Sequence, residues 1–152
     1  MPLPASYPSL TPAIAVADAA KAIEFYKNAF DAVELYRLVD PENGRVGHAE
    51  ITIGGQLMMI ADEYPAFNKS ATTLGGSATK FVLMVPNADA AFAKAIAVGA
   101  TEVRAPQDQF YGFRAGTLRD PFGHEWMLQH EFEKVSPEEM QQRWNGMMKK
   151  CD

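Results

Sequence analysis

The sequence contains a single cysteine and no long apolar run. Cys151 is the only cysteine in 152 residues, so no internal disulfide can form. No apolar run reaches the roughly 18 residues of a membrane-spanning helix. The amino terminus lacks both the charged and the apolar region of a signal peptide. These absences predict a cytoplasmic protein without a membrane partner.

Basic clusters are also absent. The formal net charge is -5, and the one adjacent basic pair is Lys149 with Lys150. Because nucleic-acid backbones are bound by clustered cations, we expect no nucleic-acid partner. What is present is 47% hydrophobic and 22% charged residues, the composition of an ordinary globular chain. A chain of this length is typical of one domain.

One strand–helix sequence pattern occurs twice in the chain. Residues 12–16 alternate as a strand does, and Asp18 can cap the amphipathic helix that follows it. The segment KFVLMV and its cap Asn87 repeat the pattern later in the chain. Three further strand patterns follow each helix. In the first of these, AVELYRLVD, strict alternation puts Val33, Leu35 and Arg37 on one face.

This repetition predicts an α+β fold, in which two βαβββ modules form a curved-sheet cup and a C-terminal helix follows. Module one spans 8–63, a linker rich in turn formers spans 64–79, and module two spans 80–131. The helix is predicted over 136–150, with Ser136 as its N-cap. Its apolar stripe, which includes Trp144, either packs on its own domain or docks on a partner subunit.

Two segments, DAAKAIEFYKNAF and DQFYGFRAGTLRDPFGHEW, resemble the vicinal oxygen chelate superfamily of glyoxalase, bleomycin-resistance and extradiol dioxygenase proteins. The chain looks closest to the PhnB-like branch. The resemblance implies two curved four-stranded sheets that form a cup around a small-molecule site. It also implies a homodimer, in which the two modules of one cup often come from different chains.

The resemblance further implies metal ligands, usually His and Glu, on the first and last strand of each module. The corresponding positions hold Thr11, Met59, Lys80 and Met127. A hydroxyl, an ammonium and two thioethers are not the imidazole and carboxylate donors that zinc, nickel or iron need. We therefore expect no bound transition metal and no cofactor.

Side-chain alternation predicts which residues line the cup. In HAEITI, Ile51 and Ile53 belong to the core, so His48 and Glu50 face the cup. Aligning Gly55 with Gly123, across a turn two residues shorter in module one, places Arg114 at the position of His48. The same alternation and the aromatic segment before Arg114 give the predicted ligand-binding set: Leu57, Met59, Lys80, Met84, Phe110, Tyr111, Glu125 and Met127.

The catalytic candidates are His48, Glu50 and Arg114. His48 and Glu50 form either a base held by a carboxylate or a solvated sheet edge. Arg114 could hold an anionic substrate group through two parallel hydrogen bonds. Lys80 and Glu125 form either a functional pair or an ion pair on the cup wall.

These candidates allow three functional hypotheses. The first is a metal-independent binding protein or enzyme for a small polar or anionic ligand. The second is a metal-dependent lyase or isomerase of the glyoxalase type whose ligands have moved to His48, Glu50 and Glu125. The third is a dimeric interaction protein whose cup is filled by its own side chains. The sequence alone leaves catalysis and simple binding equally open.

Overall fold

A computed structural model of the protein describes residues 6–151. The elements in chain order are β1 (Ala13–Val16), α1 (Ala19–Phe30), β2 (Val33–Val39), β3 (Val46–Ile53), β4 (Gln56–Asp62), α2 (Ala71–Leu74), β5 (Lys80–Met84), α3 (Ala88–Ala97), β6 (Thr101–Asp108), β7 (Phe113–Arg119), β8 (Glu125–Glu131) and α4 (Pro137–Met148). No helix in this range is long and apolar enough to cross a membrane.

The strands form two four-stranded sheets with the same topology, β1-β4-β3-β2 and β5-β8-β7-β6. In each sheet the first strand runs parallel to the last, and the remaining pairs are antiparallel. The predicted α+β fold of two βαβββ modules and a C-terminal helix is therefore confirmed. The short helix α2, within the linker, has no counterpart in the sequence prediction.

The helices begin at the predicted caps. The Asp18 side chain accepts a hydrogen bond from the backbone of Lys21, and Asn87 caps α3 in the same way through Ala90. Such caps satisfy backbone N–H groups that have no partner within the helix.

One hydrophobic core lies beneath the helix-bearing faces of both sheets. The Phe30 ring of α1 lies 4.6 Å from the Trp126 ring of β8, which joins the two modules. Asp120, in the turn before β8, is buried in this core. Its carboxylate accepts hydrogen bonds from the Tyr26 hydroxyl at 2.6 Å, from the Trp126 indole at 2.9 Å, and from two backbone N–H groups of its own turn.

We call the opposite, helix-free faces of the two sheets the cup faces. Cross-strand register assigns residues to them, because directly opposed residues point to the same side. Glu50 is opposite Met59, whereas the adjacent pair, Ile51 and Met58, is buried in the core. Glu50, Met59, His48 and Leu57 therefore lie on the module-one cup face.

On the module-two cup face, Lys80 is opposite Glu125, and Val82 is opposite Met127. This face is open to solvent: Val82 is 52% exposed and Met84 is 55% exposed. Val33 and Leu38 on the module-one side are exposed to a similar degree. A single chain therefore leaves apolar surface uncovered on both cup faces.

Helix α4 lies on its own chain without burying a residue. The Trp144 ring packs 5.7 Å from the Phe110 ring, and Arg143 donates to the Phe110 carbonyl oxygen and to the Glu133 carboxylate. Met147 remains substantially exposed. The apolar stripe of this helix thus packs on its own chain only in part.

Candidate functional site

Glu50 is the centre of the strongest candidate site. It lies in the middle of β3 on the module-one cup face, yet only 1% of its surface is exposed. A buried carboxylate needs hydrogen-bond donors or a cation. The only charged group within salt-bridge distance in residues 6–151 is the His48 imidazole, 3.3 Å from Glu50 Oε1, which carries charge only when it is protonated.

Two tyrosines supply the other hydrogen bonds to Glu50. The Tyr36 hydroxyl donates to Oε1 at 3.0 Å, from the position directly opposite Glu50 on β2. The Tyr7 hydroxyl lies 3.0 Å from Oε1 and 3.1 Å from Oε2. We call Tyr7, Tyr36, His48 and Glu50 the Glu50 cluster. Both tyrosines were missed by the sequence analysis.

Hydrogen bonding controls the protonation of this cluster. Burial raises the pKa of Glu50, but donors from His48, Tyr36 and Tyr7 outweigh burial, so the pKa lies below its usual value. Burial and the neighbouring carboxylate raise the pKa of Tyr36 to about 12 and also raise the pKa of Tyr7. At neutral pH the cluster is therefore a carboxylate that accepts hydrogen bonds from neutral phenols.

A cavity of about 230 Å³ lies beside the cluster. Its walls come from module one and the linker, and include His48, Met59 and Asn68. Small-molecule sites usually occupy about 300 to 1,000 Å³. This cavity is therefore small for a site of this kind.

The placement of Arg114 in the cup is wrong. Arg114 is opposite His130 on the same side of β7 as the core residue Leu118. Its guanidinium binds both carboxylate oxygens of Asp89 on α3, at 2.6 and 2.9 Å, and also contacts Asp108. The hydrogen bonds to Asp89 and then to Asp108 raise its pKa further.

The alignment of the two turns caused this error. Glu50 is opposite Met59 and Thr117 is opposite Met127, so these two pairs are equivalent in the repeat. His48 then corresponds to Ala115. The strand register shows that the turn of module two is one residue longer than the turn of module one, whereas the sequence alignment assumed a difference of two residues. A slip of one residue moves a strand side chain to the opposite face.

The module-two candidates are divided between two places. Glu125 accepts a hydrogen bond from Arg119 at 3.1 Å, and no ion pair with Lys80 forms among the described residues. Lys80, Met84 and Met127 lie on the module-two cup face, as alternation predicts. Phe110 and Tyr111 lie elsewhere, in the loop before β7, where Phe110 packs against Trp144 of α4.

The residues present do not fit the metal site that the resemblance implies. Thr11 lies just before β1, and Met59, Lys80 and Met127 supply no imidazole or carboxylate. In the part of the chain that the structure describes, no three His, Cys, Asp or Glu side chains are grouped closely enough to hold an ion. Oε1 of Glu50 is also already surrounded by hydrogen-bond donors.

Comparison with known proteins agrees with this architecture. Residues 10–128 match the family model of the glyoxalase/bleomycin resistance protein/dioxygenase superfamily. The uncharacterized protein Rv0887c of Mycobacterium tuberculosis is 42% identical over 138 residues, which cover 88% of this chain and 81% of that protein.

Two solved structures share the fold. The Arabidopsis thaliana gene product At5g48480 superposes with a TM-score of 0.66 at 28% identity, over 81% of this chain and 98% of that chain. The PhnB protein from Bacillus cereus gives a TM-score of 0.62 over 81% of this chain and 99% of that chain. At 19% identity, the PhnB likeness shows the fold alone. The predicted resemblance, including a PhnB-like neighbour, is confirmed, and the chain belongs to the glyoxalase/bleomycin resistance protein/dioxygenase superfamily.

Proposed function

We propose that this chain is a small-molecule-binding protein that holds a polar group of its ligand on Glu50. The observation that carries the proposal is the burial of an ionised carboxylate on a helix-free face. Burying a charge without a permanent counter-charge is costly. Phenol hydroxyls lower this cost but supply no positive charge. A carboxylate whose pKa is perturbed by burial and by specific side-chain partners, on a face that is free of helices, is typical of functional sites.

Binding is favoured over general-base catalysis by the protonation of the cluster. An efficient general base has a pKa near the working pH. The pKa of Glu50 is lowered instead, so its carboxylate binds a proton weakly. The residue is better suited to accept a hydrogen bond from a ligand and to orient it than to remove a proton.

We further propose that the protein works as a homodimer. The exposed apolar residues on both cup faces, Val82 and Met84 among them, would be covered if the module-two cup face of one copy opposed the module-one cup face of another. Such an arrangement would supply a second wall for the small cavity beside His48.

Light scattering after size exclusion tests the assembly. We expect a mass near twice 16.7 kDa at micromolar concentration. Met84→Glu should shift the protein towards monomer, because it places a charge in the proposed interface. Phe67→Glu is a matched control, since Phe67 is an exposed apolar residue in the linker. A monomer in the wild type contradicts the dimer.

The proposed binding is independent of a transition metal. Elemental analysis of protein purified without chelator should find less than about 0.1 equivalent of zinc, nickel, iron or manganese per chain, because the donor set is unsuitable. Close to one equivalent, lost in His48→Ala, would instead support the alternative of a metal-dependent enzyme with ligands at His48, Glu50 and Glu125.

A thermal-shift screen of small polar molecules tests the binding site. At least one compound should stabilise the wild type, because a ligand that binds only the folded state raises its melting temperature. The same compound should fail to stabilise Glu50→Gln. If every stabilising compound acts equally on a folded Glu50→Gln variant, Glu50 is not the binding residue.

A further inference from the structure

The two oxygens of the Glu50 carboxylate are not equivalent. Oε1 lies within 3.3 Å of three groups, namely the hydroxyls of Tyr7 and Tyr36 and the His48 imidazole. Among the described residues, 6–151, Oε2 has a single donor, the Tyr7 hydroxyl at 3.1 Å. Without Tyr7, Oε1 would keep two hydrogen-bond partners, whereas Oε2 would keep none of those that the described residues supply. Oε2 is therefore the oxygen available to a ligand.

Tyr7 and Tyr36 are attached to the fold in different ways. Tyr36 lies in β2, where cross-strand pairing fixes it opposite Glu50. Tyr7 precedes the first strand, in a segment whose residues 6–10 are all exposed. Tyr7 itself is 50% exposed, and Leu10 is 84% exposed. Among residues 6–151, the Tyr7 hydroxyl donates only to Glu50, so a competing donor could take its place on the carboxylate.

We infer that the Tyr7 hydroxyl occupies the position of a ligand donor on Glu50. The ligand is a planar molecule with a hydroxyl or N–H donor, and the Tyr7 phenol competes with it for Glu50. This inference rests on the proposed function and names the ligand class of the same site. The displaced Tyr7 hydroxyl turns to solvent, and the ligand donor replaces it on Oε2.

The surroundings of Glu50 suit a flat molecule that is not an anion. The Tyr36 and His48 rings lie 5.8 Å apart and are tilted by 47°, and the Met59 thioether lies opposite Glu50 on β4. Aromatic rings and a methionine sulfur pack well against a planar ring. A ligand carboxylate would instead place a second negative charge beside Glu50. The earlier expectation of an anionic ligand depended largely on Arg114, which faces away from the cup.

Phenol is the probe that tests the inference. Its affinity is measured by isothermal titration calorimetry for the full-length wild type and for Tyr7→Ala, with toluene and benzoate as probes of similar size. Phenol should bind Tyr7→Ala at least about tenfold more tightly than it binds the wild type, because a hydrogen bond to a charged group is worth roughly that factor. Toluene and benzoate should bind Tyr7→Ala more weakly than phenol does.

Two further variants make the result specific. Adding Glu50→Gln to Tyr7→Ala should remove the preference for phenol over toluene. Tyr7→Phe removes the hydroxyl and keeps the ring, so it should also gain phenol affinity, by a smaller factor. It serves as the test should Tyr7→Ala fold poorly.

Equal phenol affinity in the wild type and in both Tyr7 variants would overturn the competition. Tighter binding of toluene or benzoate than of phenol to Tyr7→Ala would overturn the ligand class. Neither outcome removes the proposed function, which fails only if no screened compound depends on Glu50.

Discussion

Asp120 and Glu50, two of the three buried carboxylates among residues 6–151, differ in their surroundings; the third, Asp62, accepts from the backbone N–H groups of Ala19 and Val46. Asp120 is enclosed in the core, where its donors are two backbone N–H groups and the side chains of Tyr26 and Trp126. In the described part of the chain, Glu50 accepts only from side chains, and one of these, Tyr7, is half-exposed. The donors of Asp120 cannot leave without opening the core, whereas a donor of Glu50 can be exchanged.

This difference separates a structural carboxylate from a candidate functional one. Asp120 joins the two modules, because Tyr26 belongs to α1 of module one and Trp126 to β8 of module two. The hydrogen bonds that Glu50 makes within residues 6–151 all stay in module one and the segment before it. Burial alone does not indicate a functional site, and the exchangeable partners of Glu50 are what support the proposal that it is one.

Asp120→Ala should have the largest effect on stability. It leaves two buried side-chain donors and two backbone N–H groups unpaired, so the free energy of unfolding should fall by about 3–5 kcal/mol. Urea denaturation followed by circular dichroism measures it. Tyr26→Phe, which removes one of the four donors, should cost less. A change below about 1 kcal/mol in Asp120→Ala would refute its structural role.

Glu50→Gln should instead abolish ligand binding and leave the stability of the fold nearly unchanged. The free energy of unfolding should fall by no more than about 1 kcal/mol, because a glutamine side chain keeps a carbonyl oxygen that can still accept from the tyrosine hydroxyls. Ligand stabilisation in the thermal-shift screen should disappear. A loss of stability as large as that of Asp120→Ala would indicate that both carboxylates are structural, and it would contradict the distinction between them.

The pH dependence of Tyr36 provides a more local test. With its pKa raised to about 12, Tyr36 should ionise late in an absorbance titration, and Glu50→Gln should return that pKa towards its ordinary value. Burial and the Asp120 carboxylate also raise the pKa of the core residue Tyr26, which Glu50→Gln should leave unchanged. A raised pKa stabilises the fold below the ordinary tyrosine pKa of about 10, and this contribution is lost as the pH rises through about 12.

The lowered pKa of Glu50 acts at the other end of the pH range. Its contribution to stability is present above the ordinary pKa of 4.5 and is lost as the pH falls through the lower value in the folded state. Wild type should therefore lose more stability than Glu50→Gln on acidification below pH 4.5. Parallel urea curves at pH 7 and about pH 3 measure the difference, and identical losses would contradict the lowered pKa.

Arg114→Ala should have the smallest effect on binding. Because Arg114 contacts Asp89 and Asp108 and faces away from the cup, ligand affinity should not change. Calorimetric titration with a compound from the screen measures it. A loss of affinity would indicate that Arg114 contributes to ligand binding, and it would contradict the register of β7.

The repeated strand–helix pattern was sufficient to predict the fold. Alternation was sufficient to predict the cup-face position of Glu50, because β3 and β4 pair without interruption. It failed on β2, where a bulge between Glu34 and Tyr36 places Val33 and Tyr36 on the same face. Strict alternation had grouped Val33 with Leu35 instead. A bulge leaves no signal in a single sequence, so Tyr36 was missed.

Tyr7 was missed for a different reason. It lies before the first strand, in a segment without periodicity, and its contact with Glu50 joins residues far apart in the chain. Arg114 was misplaced because turn length cannot be read from composition to within one residue. The sequence therefore predicts strands and faces well, but not long-range contacts or the register across an irregular turn.

The most direct test compares the dissociation constant of a compound from the screen for the wild type and for Glu50→Gln. Both proteins should have the same melting temperature without ligand to within a few degrees. The account predicts a dissociation constant at least about tenfold higher for Glu50→Gln than for the wild type. This is the loss of affinity expected when a hydrogen bond to a charged group is weakened. Equal dissociation constants in two equally stable proteins would contradict it.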